Sequence, residues 1–308
     1  MVIAVLGSIN MDFVCEVPRF PQHGETLRGL SFARYPGGKG ANQAVAAARL
    51  GAQVFFYGKV GDDFFGRELL QSLTENGVSV ETVEREGNTS SGIALIWVAE
   101  NGKNAIVYVP GANALVNTAY IDRMLSRLVA AKVLLLQLEI PLETIAYVLR
   151  YLPTKNPFVI LDPAPAQDIS SLSLERVDII TPNRGELTAL TGEEDVKKAG
   201  RRLLDLGVGL VICKAGAEGA YLITRESFRH FPAFPVNPVD TTAAGDAFNG
   251  ALAVALAEGR SLEEAIIWAN AAGALATTRK GAQPSLPYRK ELEAFLKQHV
   301  PKIKDSRS

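Results

Sequence analysis

Cysteine is scarce in this chain: of 308 residues two are cysteine, Cys15 and Cys213, far apart and outside any Cys-x-x-Cys pair. Zinc and dithiol redox motifs are therefore absent, and two reduced thiols fit a cytoplasmic protein. No apolar run reaches the ~18 residues that a membrane span needs. The opening Met1–Gly7 has neither the basic stretch nor the length of a secretory leader, so it reads as a buried strand. Charge of one sign is not in excess: the net charge is −1 and no basic stretch stands out, so a nucleic-acid partner is not implied. Pro/Gly-rich linkers and internal repeats are also missing, which favours one α/β domain over residues 1–308. There is no Gly-x-x-x-x-Gly-Lys-[Ser/Thr] and no Gly-x-Gly-x-x-Gly after the first strand. P-loop and dinucleotide-binding readings lose their main support. A Gly-x-Ser-x-Gly nucleophile elbow is absent as well.

What is present is 47% hydrophobic residues in a regular rhythm. Val2–Leu6, Val54–Tyr57, Val133–Leu138, Phe158–Leu161, Val177–Ile180 and Leu210–Cys213 are short Val/Ile/Leu runs that predict strands. Between them lie helical patterns, including Ala41–Leu50 stopped by Gly51, Phe64–Asn76 closed by Gly77, and Pro141–Tyr151. Continuous apolar runs mean strands buried on both faces, and their alternation with helices means a doubly wound, mostly parallel sheet. Two segments break the rhythm, at about 13–35 and 89–110. Their short alternating stretches, joined in the second by Asn101-Gly102, predict inserted antiparallel strands. They read as a small β lid over one edge, or as a plain surface hairpin.

The run Asp240-Thr-Thr-Ala-Ala-Gly-Asp-Ala-Phe-Asn-Gly250 leads straight into a helical pattern, Ala251–Glu258. Small residues before a helix let its free N–H groups approach an anion closely. Asp246 at that same end suits a general base that takes a proton from an attacking hydroxyl. Its other reading is a helix cap.

Further polar groups fall at the carboxyl ends of predicted strands, where open α/β sheets bind ligands. Asn10 and Asp12 follow the first strand and Glu139 follows Val133–Leu138. Gly37-Gly-Lys-Gly-Ala-Asn-Gln43 opens a helix, with Lys39 for charge and Asn42 for two-sided hydrogen bonding. Together these groups suit a polyol; singly, each reads equally well as a turn residue or a solvated helix start.

The paired clusters, Gly37–Gln43 with its helix and Asp240–Gly250, resemble the two signatures of the PfkB carbohydrate kinase family, and the likeness runs from Gly7 to about Phe295. It is closest to that family's ribose-phosphorylating members. The resemblance implies a ribokinase-like α/β fold with a β lid, and ATP-dependent phosphorylation of ribose at the 5-hydroxyl. Another sugar or a nucleoside is the alternative acceptor. It implies that Asn10, Asp12, Gly38, Lys39, Gly40, Ala41, Asn42 and Glu139 hold the sugar, that Asp246 is the base, and that Ala243, Ala244 and Gly245 form the anion hole. Asn183 and Glu186 would organise magnesium and phosphates, Glu186 through water. Lys214, Ala215, Gly216, Ala217, Glu218 and Gly219 would flank the nucleotide, with Asn270 lining the adenine pocket. Asp240, Thr242, Ala276, Arg279, Gly281 and Ser285 match a potassium loop. A homodimer through the lid is also implied.

Two positions depart from the family pattern. Lys214 stands where a threonine is common, replacing a hydroxyl contact to phosphate with a charge, and Arg184-Gly185 sit where acidic or polar residues are usual. A dehydrogenase and a catalytically silent sugar-binding protein remain as readings from other classes. The missing dinucleotide fingerprint weighs against the first. The intact Asp246, anion hole and Asn183/Glu186 pair weigh against the second.

Overall fold

The computed structural model describes residues 1–101 and 103–304, with side chains described to residue 299. In chain order the strands are β1 (Val2–Leu6), β2 (Asn10–Val17), β3 (Ser31–Gly37), β4 (Gln53–Tyr57), β5 (Lys59–Gly61), β6 (Val78–Ser79), β7 (Glu84–Glu86), β8 (Gly92–Ala99), β9 (Asn104–Val109), β10 (Val133–Gln137), β11 (Phe158–Asp162), β12 (Ile179–Ile180), β13 (Leu210–Lys214), β14 (Ala220–Ile223) and β15 (Phe228–Phe231). The helices are α1 (Lys39–Arg49), α2 (Phe64–Glu75), α3 (Thr118–Ala130), α4 (Leu142–Tyr151), α5 (Arg184–Thr191), α6 (Val196–Asp205), α7 (Ala244–Ala257), α8 (Leu262–Ala276), α9 (Ala282–Ser285) and α10 (Arg289–Lys304).

The central sheet has nine strands in the order β15-β14-β13-β12-β11-β10-β1-β4-β6. It is parallel from β6 to β13, with β14 and β15 added antiparallel. The apolar runs explain why helices cover both faces. Along β1, Ile3 and Val5 join the core under α1, α7 and α8, while Ala4 and Leu6 join the core under α3, α4, α5 and α6. Neighbouring β10 divides the same way, Val133 and Leu135 to one side and Leu134 and Leu136 to the other. The chain runs from β1 outward to β4 and β6 and then returns to β10 on β1's other side. The carboxyl ends of β1 and β10 therefore border a topological switch point, the usual ligand crevice of such sheets.

The two segments that break the rhythm form a separate four-stranded sheet, β3-β2-β8-β9. Its β2–β3 and β8–β9 pairings are antiparallel, as expected, while the central β2–β8 pairing is parallel. Two distant hairpins join along one edge each, a long-range match that local alternation does not encode. Gly102, in the expected turn, lies outside the described residues. The hydroxyl of Tyr108 on β9 donates to the Glu139 carbonyl at 3.0 Å, tying this lid to the end of β10.

α1 and α7 cross very closely. A Cβ on Gly250 would lie 2.5 Å from Ala46 Cβ and 3.0 Å from Ala47 N. Gly250→Val is therefore expected to lower stability by about 2–3 kcal/mol through overpacking, read as a lower denaturant midpoint at unchanged slope.

Candidate active site

The site begins at the switch point. The hydroxyl of Ser8, just after β1, donates to Glu139 Oε2 at 2.5 Å, and the Lys39 backbone N–H donates to the same oxygen at 3.1 Å. Glu139 thus links the ends of β1 and β10 to the start of α1, where a carboxylate is favoured. The glycines there are steric necessities. Gly38 has φ +90, and a Cβ on it would meet Asn10 N at 2.8 Å; a Cβ on Gly40 would meet Ser8 N at 2.7 Å. Gly40 and Ala41, expected to touch the sugar, dock α1 onto the β1–β2 turn, with Ala41 N–H donating to the Ser8 carbonyl at 2.9 Å.

Asp246 is buried, 6% exposed, at the start of α7. Asn42 Nδ2 donates to its Oδ2 at 3.0 Å and Gln43 Nε2 to its Oδ1 at 3.1 Å. Burial pushes the Asp246 carboxyl up to about 6, with the nearby Asp162 adding to the rise, while Lys39 and the two amides oppose it. Asp12 is pushed up to about 7, by burial first and then by Glu139 and Asp246, against Lys39. Burial alone would lower Lys39, but Asp246, Asp162, Glu139 and Glu186 outweigh it and raise the ammonium above its ordinary value. Asn42 Oδ1 is buried and has no hydrogen-bond partner among the described residues, so it calls for a donor such as a ligand hydroxyl. Asn10 Oδ1 accepts from Asn113 Nδ2 at 2.8 Å, which leaves the Asn10 amide N–H₂ as the group to present.

Two cavities flank this cluster. One, about 360 Å³, is lined by Lys214, Gly216, Ala217, Gly219, Thr241, Ala244, Gly245, Phe248 and Asn270, and walled by Ala233–Val236 and Pro238. The other, about 560 Å³, lies under the lid, between Asp12, Val14, Ile96 and Val98 on one side and Asp240–Thr242 and Lys280–Ala282 on the other. Of the expected sugar residues, Asp12 lines this second cavity.

At the start of α7, Ala243 adopts φ 60, the one positive φ outside glycine among the described residues, a conformation that costs an L-residue about 1–2 kcal/mol. The Ala244 N–H turns back to the Thr241 carbonyl at 3.2 Å. Of the expected anion hole, the Ala244 N–H is thus engaged within its own loop, while the N–H groups of Gly245 and Asp246 lie in the first turn of α7, which lacks intrahelical acceptors. Ala215 and Glu218 do not line the nucleotide-sized cavity; Glu218 is engaged by Arg184 and by the Tyr221 hydroxyl. Asn183 and Glu186 form a capping box on α5, Asn183 Oδ1 accepting from Glu186 N at 2.8 Å and Glu186 Oε2 accepting from Asn183 N at 2.7 Å. Burial, helped by Asp162, raises Glu186, opposed by Lys214 and Lys39.

Around Asp240 the structure joins two loops. Its Oδ1 accepts from the N–H and hydroxyl of Thr242 at 2.9 and 2.6 Å, and its Oδ2 from Gly281 N at 2.9 Å. Burial would raise this carboxyl, but those donors and Lys280 hold it below its ordinary value. Nearby, Arg279 N–H faces the Ala276 carbonyl at 3.4 Å, its guanidinium pairs with Glu291 at 2.5 Å, and the Ser285 hydroxyl donates to the Ala282 carbonyl at 2.8 Å.

Sequence reasoning missed four things here. Asp162, buried at the end of β11, pairs with Lys214 Nζ at 2.8 Å. It follows the same strand-end rule that found Glu139. Gln43 and Gln137 carry a buried amide chain into Asp246, and Asn113 orients Asn10. The cavity wall at Ala233–Pro238 is a proline-punctuated apolar stretch, a signal for extended backbone.

The PfkB family of carbohydrate kinases matches residues 2–289. The chain is 43% identical over 294 residues to the ribokinase of Bacillus subtilis, covering 96% of this chain and 99% of that one. It is 38% identical over 302 residues to the deoxyribokinase of Salmonella typhi, covering 96% and 99%. The structure of Arabidopsis thaliana ribokinase complexed with ribose and ATP superimposes with a TM-score of 0.89 at 35% identity, covering 96% and 98%. The chain belongs to the PfkB carbohydrate kinase family, and its fold is that of the ribokinases within it.

The raised carboxyls have a consequence for stability. Asp12 binds its proton more tightly when folded, so its contribution is fully present below about pH 4 and lost as the pH rises through about 7. Asp12→Asn is expected to stabilise the ligand-free protein at pH 8 by on the order of 2 kcal/mol, a gain that shrinks by pH 5. Denaturant titrations at the two pH values measure it; equal effects at both would contradict the assignment.

Proposed function

We propose that this chain transfers the γ-phosphoryl group of ATP to the 5-hydroxyl of D-ribose, as one domain that binds both substrates. The observation that carries the reading is Asp246: a buried carboxylate raised to about 6, at a helix start beside a nucleotide-sized cavity, with Asn42 and Asp12 on its other side. A carboxyl titrating there is ionised at neutral pH yet basic enough to take a proton. Asp246 removes the proton of the sugar's 5-hydroxyl as the oxygen attacks phosphorus. The N–H groups of Gly245 and Asp246 receive the charge that spreads over the transferring phosphoryl oxygens. Asn10, Asp12, Gly38, Lys39, Asn42 and Glu139 orient the sugar, and the lid over them excludes water.

Lys214, Gly216, Ala217 and Gly219 flank the ATP phosphates, and Asn270 with the Ala233–Pro238 wall flanks the adenine. Magnesium, when bound, supplies charge neutralisation on those phosphates. Glu186 fits a water-mediated role, since its capping box occupies Oε2 and leaves Oε1, while Asn183 fixes that geometry. Potassium would lie against Asp240 and Thr242 with carbonyls of the 276–285 loop. The fit rests on Asp240, held below its ordinary pKa and reaching both loops, with Oδ2, which accepts a single hydrogen bond, retaining a lone pair. A homodimer through the lid is supported by its exposed Leu95, Ile106 and Val107.

A second acceptor, 2-deoxyribose, is favoured by the likeness to a deoxyribokinase. Asn10 distinguishes the two, because its outward amide N–H₂ suits a 2-hydroxyl. Coupled ATP-turnover assays with each sugar, with and without potassium, should show a higher kcat/KM for ribose. Asn10→Ala should remove most of that preference. Asp246→Asn should keep the fold and lose at least about 10²-fold in kcat. In the parent protein kcat/KM should fall as the pH drops through about 6. Near-normal turnover by Asp246→Asn would remove Asp246 as the base.

A further inference from the structure

Gln43 contacts two carboxylates through a single nitrogen, Nε2 lying 3.1 Å from Asp246 Oδ1 and 2.9 Å from Asp162 Oδ2. Carboxylate oxygens only accept, so the atom facing both must be the amide N–H₂, and both its hydrogens are used. The Gln43 Oε1 then points the other way, where Gln137 Nε2 donates to it at 2.7 Å. Gln137 is fully buried, and its own Oε1 has no partner among the described residues. A Cβ on Gly7 would fall 2.0 Å from that orphan oxygen. Gln137 therefore pairs the Gln43 oxygen while leaving its own oxygen unpaired, which holds the Gln43 amide in one orientation.

We propose that Gln43 is a positioning residue for Asp246, and that Gln137 fixes the direction in which the Gln43 amide faces. The inference rests on Asp246 being the base. With Gln43 on Oδ1 and Asn42 on Oδ2, the carboxylate plane cannot rotate, so the lone pair offered to the sugar hydroxyl keeps one direction. The second N–H of Gln43 fastens the base to Asp162, which is paired with Lys214 on the wall of the nucleotide cavity. One amide therefore holds the sugar-side base and the nucleotide-side ion pair at a fixed spacing. The charged groups around Asp246 are Lys39 on α1, Asp12 on β2, Asp162 on β11 with its Lys214 on β13, Glu139 after β10 and, through Lys39 and Asp162, Glu186 on α5. None of them supplies this neutral donor.

The test is steady-state kinetics across pH for Gln43→Met and Gln137→Met, with Asp246→Asn alongside. Gln43→Met should lower kcat about 10- to 100-fold, the scale of a lost hydrogen bond to a charged group. KM for ribose and ATP should stay within about threefold. The acid limb of the kcat profile should move up by about one pH unit, because a donor to the ionised base is gone. Gln137→Met leaves Gln43 in place, but it exchanges one orphan acceptor, Gln137 Oε1, for another, Gln43 Oε1 deprived of its donor. It should fold with a stability no higher than the parent's and lose about three- to tenfold in kcat, with its acid limb moved the same way. A Gln137→Met protein with parental kcat and pH profile overturns the proposal even where Gln43→Met does not fold. If both glutamine variants behave as the parent while Asp246→Asn is inactive, only the positioning role fails; an active Asp246→Asn fails the base itself.

Discussion

Burying the carboxylate of Asp246 is the constraint on which the rest of this molecule turns. A lone carboxylate taken out of water neutralises itself or finds partners. Here the partners are incomplete by design of the site: two amides on the oxygens, Lys39 in the field, and Asp162 and Asp12 opposing. The outcome is a carboxyl held near 6 rather than 4, ionised at neutral pH but ready to accept a proton. The raised Asp12 belongs to the same balance. Folding gathers like charges around Asp246 at a cost to stability, the pattern in which perturbed carboxyls mark functional sites.

The fold's details follow from assembling that cluster. Two amides can reach Asp246 only if α1 and α7 come within a backbone's width, which Gly250 against Ala46 and Ala47 permits. Helix α1 starts where it does because Gly38 and Gly40 let it press on the turn after β1, and because Glu139 meets its first N–H. Since β1 and β10 flank the switch point, the cluster opens on one side to the lid cavity and on the other to the cavity at Lys214 and Gly245. In the proposed reaction a hydroxyl and a phosphate enter from these opposite sides and meet at Asp246.

Much of this was legible in the sequence because burial on both sheet faces leaves unbroken apolar runs. Val2–Leu6 and Phe158–Leu161 become strands within a residue of their expected ends. Strand-end polarity likewise exposed Asn10, Asp12 and Glu139. What stayed hidden depended on pairing at a distance. The parallel β2–β8 contact joins two segments that each look like half of a hairpin. Gln43 and Gln137 lie 94 positions apart, and a buried glutamine has no periodic signature. Asp162 was visible by the rule that found Glu139. Asn183 and Glu186 show the opposite limit: the spacing that suggests metal and phosphate work is also that of a capping box, and the structure forms the box.

The most direct measurement is the titration of the Asp246 carboxyl itself, by carbon NMR of the ligand-free protein with aspartate labelled at the carboxyl and the resonance assigned through Asp246→Asn. The account predicts a midpoint of about 6. A carboxyl that titrates at or below about 4, as an ordinary exposed aspartate does, would contradict it.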